Sequence, residues 1–110
     1  MSALDHWHPV LKSNELKKKP KAIILNGKQI VLFRDKDGLA SALDDVCPHR
    51  RMALSNGSVK NGRIVCIYHG MSFDREGKGQ SPGTEDCKIN ATKFDCLESY
   101  GAIWIKSKDS

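Results

Sequence analysis

The chain has 110 residues, enough for one domain and one modest core, and its apolar residues are spread along its length, which excludes a disordered tail. No apolar run approaches the roughly 20 residues needed to span a bilayer, and the start, MSALDHWHPVLKSN, lacks the charged segment and apolar run of a secretory signal. The formal net charge of +5 invites a nucleic-acid partner, yet only Lys17, Lys18, Lys19 and Lys21 cluster, around Pro20, and no aromatics interleave with basic residues to stack bases.

Taken in chain order, the predicted elements are short. His6 and His8 flank Trp7 in an extended segment and read as ordinary surface histidines. Ser13 is placed to cap one helical turn through Asn14, Glu15 and Leu16, and Pro20 ends any continuation. The lysines that follow read as a solvated loop; the functional alternative is a docking patch for an acidic redox partner. AIILNGKQIVLF, residues 22–33, is two apolar runs broken by Asn26-Gly27, a dipeptide suited to a two-residue hairpin turn. DKDG at 35–38 makes the next turn, and LASAL at 39–43 a short strand leading to Cys47. SVKNGRIVC holds a second hairpin with Asn61-Gly62 at its tip, and MSFDREGKG a strand and a turn around Glu76-Gly77. KFDCLES and GAIWIK, 93–99 and 101–106, form a closing pair around Tyr100-Gly101. Trp7, Trp104 and Tyr100 are expected to pack in the core or at an edge.

The sum is an all-β domain of antiparallel strands, one domain over residues 1–110, with irregular segments at 45–58, 66–71 and 77–90. Without export the chain is expected in the cytoplasm, where its four cysteines (Cys47, Cys66, Cys87, Cys96) favour metal ligation over disulfides.

Two of the irregular segments carry paired ligand-type residues. Cys47-Pro48-His49 is Cys-x-His, and sixteen residues later Cys66-Ile67-Tyr68-His69 is Cys-x-x-His. Two Cys and two His satisfy tetrahedral zinc in number. The spacing fits zinc poorly, because Cys-x-His is tighter than a zinc knuckle and the order is mixed. A binuclear iron–sulfur centre uses the pattern better. One iron takes the thiolates of Cys47 and Cys66, the other the imidazoles of His49 and His69. Thiolate sulfur stabilises ferric iron, so the His-bound iron is the one expected to accept the electron. Cys87 and Cys96 have no partner at ligand spacing and read as small apolar residues.

CPHR, sixteen residues after His49, then CIYHG, resembles the Rieske [2Fe–2S] motif. The flanks, from DHWHPV through IVLFRDKDGLASALDDVCPHR to YGAIWI, resemble the Rieske domain of ring-hydroxylating oxygenases over nearly the whole chain. The resemblance implies stacked antiparallel β-sheets, a cluster-binding subdomain of two loops at about 45–58 and 66–71, and one Rieske-type cluster bound by Cys47, His49, Cys66 and His69. It places His49 and His69 near the surface as the exit for the electron. High-potential Rieske proteins carry serine and tyrosine hydroxyls that donate to cluster sulfur, and a disulfide between the loops. Here Met71 stands at the serine position, Phe73 at the tyrosine position and Tyr68 at that of the second disulfide cysteine. Fewer donors imply a potential near the low end of the range, roughly −150 mV. Arg50 and Arg51 either grip a partner carboxylate or brace the loop.

A Rieske oxygenase also needs two histidines and a carboxylate on mononuclear iron. The chain has four histidines, two assigned to the cluster and two near its start, and no flavin or nicotinamide motif. The expected role is therefore not catalysis by this chain alone. It is one-electron transfer as a stand-alone ferredoxin-like carrier, between a reductase and an oxygenase or similar acceptor, with no nucleic-acid or membrane partner. The alternatives are a component or fragment of a Rieske non-haem iron oxygenase, or a redox-sensing regulatory module.

Overall fold

The computed structural model describes residues 7–25, 27–46, 53–66, 71–80 and 90–106. Among them, eleven strands form three antiparallel sheets. The middle sheet contains β2 (Lys21–Leu25), β3 (Lys28–Arg34), β4 (Ala40–Asp44) and β9 (Lys93–Phe94), in that order. A second sheet contains β1 (Trp7–Lys12), β11 (Ala102–Lys106) and β10 (Cys96–Ser99). The third is a meander of β5 (Ser58–Lys60), β6 (Arg63–Val65), β7 (Ser72–Phe73) and β8 (Gly79–Gln80).

The middle sheet is buried on both faces, which explains the unbroken apolar run Ile30-Val31-Leu32-Phe33. Successive side chains of a strand point to opposite faces. Val31 and Phe33 accordingly pack with Leu43, Ile64 and Phe73 toward the third sheet. Ile30 and Leu32 pack with Ala42, Phe94, Ile103 and Ile105 toward the second. Burying each large side chain contributes roughly 1.5–3 kcal/mol.

The tight turns follow the sequence signals. Leu25 pairs with Lys28, leaving a two-residue loop whose Gly27 has φ +78°. Asn26 lies outside the described residues. Asn61 and Gly62 both take positive φ between Lys60 and Arg63, as that hairpin turn requires.

Four expectations need correction. The segment 93–99 is not one strand: β9 pairs with β4, and after Asp95 the chain crosses to the second sheet, where β10 pairs with β11. Gly79–Gln80, inside the segment expected to be irregular, forms β8. Ser13 does not cap the short turn. Ser13–Glu15 is a 3-10 turn whose preceding residue is Lys12, and the Glu15 carboxylate accepts the Lys12 N–H at 2.8 Å. Tyr100 packs nowhere: it sits at the tip of the β10–β11 hairpin, 95% exposed, with φ +55°. Trp104, on the central strand β11, is half-buried and donates its indole N–H to the Ser99 carbonyl, and Trp7 is half-buried on the edge strand β1, so both are packed as expected.

Polar ties fasten the layers. Arg34 donates to the Leu16 and Ser13 carbonyls and grips both Glu98 carboxylate oxygens, at 2.9 and 3.0 Å. Arg63 bonds the Ser72 hydroxyl and the Lys78 carbonyl, binding β6 to the β7–β8 hairpin. The guanidinium of Arg34, aided by the Ser13 hydroxyl, holds the Glu98 carboxyl down at about 2. A carboxyl depressed by folding stabilises above its unfolded value and loses that contribution as pH falls through its folded one. Glu98 is 32% exposed, so solvent screening limits the effect to about 1 kcal/mol. The protein is thus expected to be more stable than Glu98→Gln at pH 6, with the difference in urea midpoint vanishing as pH falls from about 4.5 toward 2. An undiminished difference in acid would contradict the pairing.

Candidate metal centre

Both expected ligand loops spring from one end of the molecule. The β3–β4 turn marks the other end. There the Gly62 turn lies against Lys36, where a β-carbon on Gly62 would stand 2.3 Å from the Lys36 nitrogen. Arg75, in the β7–β8 turn, reaches Asp35 at 3.3 Å. β6 therefore runs away from that end toward Cys66, and β7 returns from Met71. β4 also runs away from it, ending at Asp44, and the next residue, Asp45, donates its N–H to the Gln29 carbonyl. The chain enters the Cys47 loop from there.

The base of each loop is closed. In the second, the Cys66 N–H donates to the Met71 carbonyl at 2.7 Å, which joins the two stems on either side of residues 67–70. In the first, the Asp45 carboxylate, 3% exposed, accepts from the Ser55 N–H and the Ser55 hydroxyl, both at 2.7 Å. That bond draws the chain before Cys47 to the chain after residue 52. The two bases then meet. A β-carbon on Gly57 would stand 1.8 Å from the Val65 carbonyl oxygen, so only glycine allows this approach next to Cys66.

Cys66 is 1% exposed and lies in the same apolar cluster as Leu54, Met71 and Phe73. Cys47, His49 and His69 lie outside the described residues, as do Pro48, Arg50, Arg51, Tyr68, Gly70, Cys87 and His6. Among the described residues no group of three metal-binding side chains converges, and Cys66 is the one expected ligand described. The donor set nevertheless suits a [2Fe–2S] group. Two loops anchored side by side, one carrying a buried thiol in apolar surroundings, can enclose a soft-ligand cluster away from water.

A family model of the Rieske [2Fe-2S] domain matches residues 6–100. The chain belongs to the Rieske [2Fe–2S] domain family. This Rieske domain is 34% identical, over 92% of its length, to the 3-chlorobenzoate-3,4-dioxygenase oxygenase subunit of Comamonas testosteroni. It is also 34% identical, over 90%, to the dicamba O-demethylase oxygenase component of Stenotrophomonas maltophilia. It spans 25% and 30% of those two proteins. The crystal structure of dicamba monooxygenase bound to dicamba superposes with a TM-score of 0.85 at 34% identity, covering 94% of this chain and 34% of that one. The Rieske fold expected from the sequence is the fold observed, and the family carries one Rieske-type [2Fe–2S] cluster that transfers electrons.

Outside the cluster end, Cys96 is a free thiol packed on the core between the middle and second sheets. Burial pushes it up to about 11, which matches its reading as a small apolar residue. Lys17, Lys18 and Lys19 form an exposed bend, as a solvated loop should. No helix of the described residues is long and apolar enough to cross a membrane. Sequence reasoning missed Asp45, Ser55 and Gly57. The turn-prone Ser55-Asn56-Gly57 was a signal for the last two, whereas nothing local marks Asp45 as buried.

Proposed function

We propose that this Rieske domain is the electron-entry module of an oxygenase system, with Cys47, His49, Cys66 and His69 as the cluster ligands. The observation that carries this reading is the 34% identity, over nine-tenths of the chain or more, to oxygenase components. It favours the component role over a stand-alone carrier. The cluster these four residues would hold would supply one-electron transfer between a reductase and an acceptor. Cys66 would supply a thiolate from a buried, hydrogen-bonded stem. His49 and His69 supply imidazoles, each with a second ring nitrogen able to hold a proton. Arg50 and Arg51, next to His49, hold a partner carboxylate.

Met71 and Phe73 are buried beside Cys66 and offer no hydroxyl to sulfur. This supports a potential near the low end of the Rieske range, roughly −150 mV. The test is electron paramagnetic resonance of the dithionite-reduced protein with a redox titration. A rhombic signal of low average g is expected, with Phe73→Tyr titrating at a more positive potential than the parent. A colourless, silent protein would overturn the ligand set, and a clearly positive midpoint the low-potential reading. For the partner role, the reduced domain is mixed with dicamba monooxygenase stripped of its own cluster but loaded with mononuclear iron and substrate. Oxygen-dependent loss of the signal with product formation is expected; a signal that persists without product counts against that role.

A further inference from the structure

All three sheets meet at a cleft of about 280 Å³ whose lining includes none of the expected cluster ligands. Trp7 and Lys106 line it from the second sheet, Ser41 and Lys93 from the middle sheet, Asp95 from the crossover, and Arg75 from the β7–β8 turn. The cleft exists because β9 pairs with β4 only at Ala42 and Leu43 before the chain crosses over. The edge of β4 at Ser41 is thereby left open. Ser41 is 3% exposed, yet its hydroxyl has no hydrogen-bond partner among the described residues, and neither has the buried Nε of Arg75. Orphaned buried polar groups are rare in folded proteins and call for an explanation.

We propose that this cleft binds a small oxyanion, a carboxylate or phosphate group. Its available groups are donors: the Ser41 hydroxyl, the Arg75 Nε–H, which makes no hydrogen bond but stands 4.0 Å from the Glu76 carboxylate, and the Lys106 ammonium, which makes no ion pair among the described residues. Two of the cations are partly committed, Arg75 to Asp35 and Glu76, and Lys93 to Glu76. Even so, three cations face one lining carboxylate, that of Asp95. At roughly 30 Å³ per water molecule, the space holds a small anion with part of its hydration.

The test is titration of the ¹⁵N-labelled, cluster-loaded protein with sodium phosphate and, separately, sodium acetate, at an ionic strength held constant with sodium chloride. Saturable shifts of the amides at residues 40–42 and 95–96 are expected, stronger with whichever anion class the site prefers. Lys106→Met is expected to weaken binding at least tenfold and Ser41→Ala at least threefold. Ser41→Ala removes an unsatisfied hydroxyl, so without anion it should melt no lower than the parent. Responses no different from chloride, shifts confined to Lys17–Lys21, or variants that bind as the parent does would each overturn the proposal.

Discussion

Cys66→Ser is expected to leave a folded β protein that carries almost no cluster. Iron should fall from about two atoms per chain to a small fraction of that, and the visible absorbance and the reduced-state magnetic resonance signal should vanish with it. The serine hydroxyl is a harder donor that does not ionise in a dry site. Cys66 is enclosed by Leu54, Met71 and Phe73, so water has no room to substitute for the lost sulfur. The fold should survive, because a hydroxyl for a thiol in an apolar cluster costs about 1–3 kcal/mol. Cys96→Ser is the control. That thiol packs on the other core, between the middle and second sheets, and its loss should leave the iron content unchanged. If both variants lost iron equally, or if Cys66→Ser kept it, the assignment of Cys66 as a ligand would fail.

Gly57→Ala should be the most damaging single methyl in the described structure. Gly57 has φ −89°, which alanine adopts without strain, so the obstacle is space alone. The added carbon would stand 1.8 Å from the Val65 oxygen, 2.9 Å from the Val65 carbonyl carbon and 3.2 Å from the Leu54 oxygen. All three are backbone atoms, so no side-chain rotation relieves the collision. Either the 3-10 turn at Leu54–Asn56 or the end of β6 must move, and the second carries Cys66. We expect a loss of about 3 kcal/mol, a drop of roughly 10–20 °C in thermal midpoint, and faster loss of the cluster to a chelator. Gly27→Ala makes the comparison. Its β-carbon meets nothing within 4 Å, and its cost is the positive φ alone, about 1 kcal/mol. A Gly57→Ala protein melting within a few degrees of the parent would show that the two loop bases are not locked together there.

Much of the fold was legible from local chemistry. Asn61-Gly62 announced its hairpin because both residues tolerate positive φ. The run Ile30–Phe33 announced a strand, though not that both its faces would be covered. The size and aromaticity of Tyr100 suggest packing; the register of β10 and β11 instead places it at a hairpin tip. The crossing at Asp95 left no local mark, since Phe94 and Cys96 suit a strand equally well in either sheet.

The sequence by itself determined the chemistry of the cluster. The spacing Cys-x-His, sixteen residues, Cys-x-x-His is a statement about the number, softness and asymmetry of the expected ligands, and those are properties of residue types. It determined the fold class too, because hairpin turns and β-branched runs are local. Only the tertiary structure decided how the two loops are brought together. That depends on the buried Asp45–Ser55 bonds, between segments that carry no information about each other until the middle and third sheets have packed, and on Gly57 against the Val65 carbonyl, where the β5–β6 pairing ends. The same holds for the cleft at Ser41, which exists because the chain leaves the middle sheet after β9 and joins the second at β10, a consequence of strand pairing that no single stretch of chain encodes.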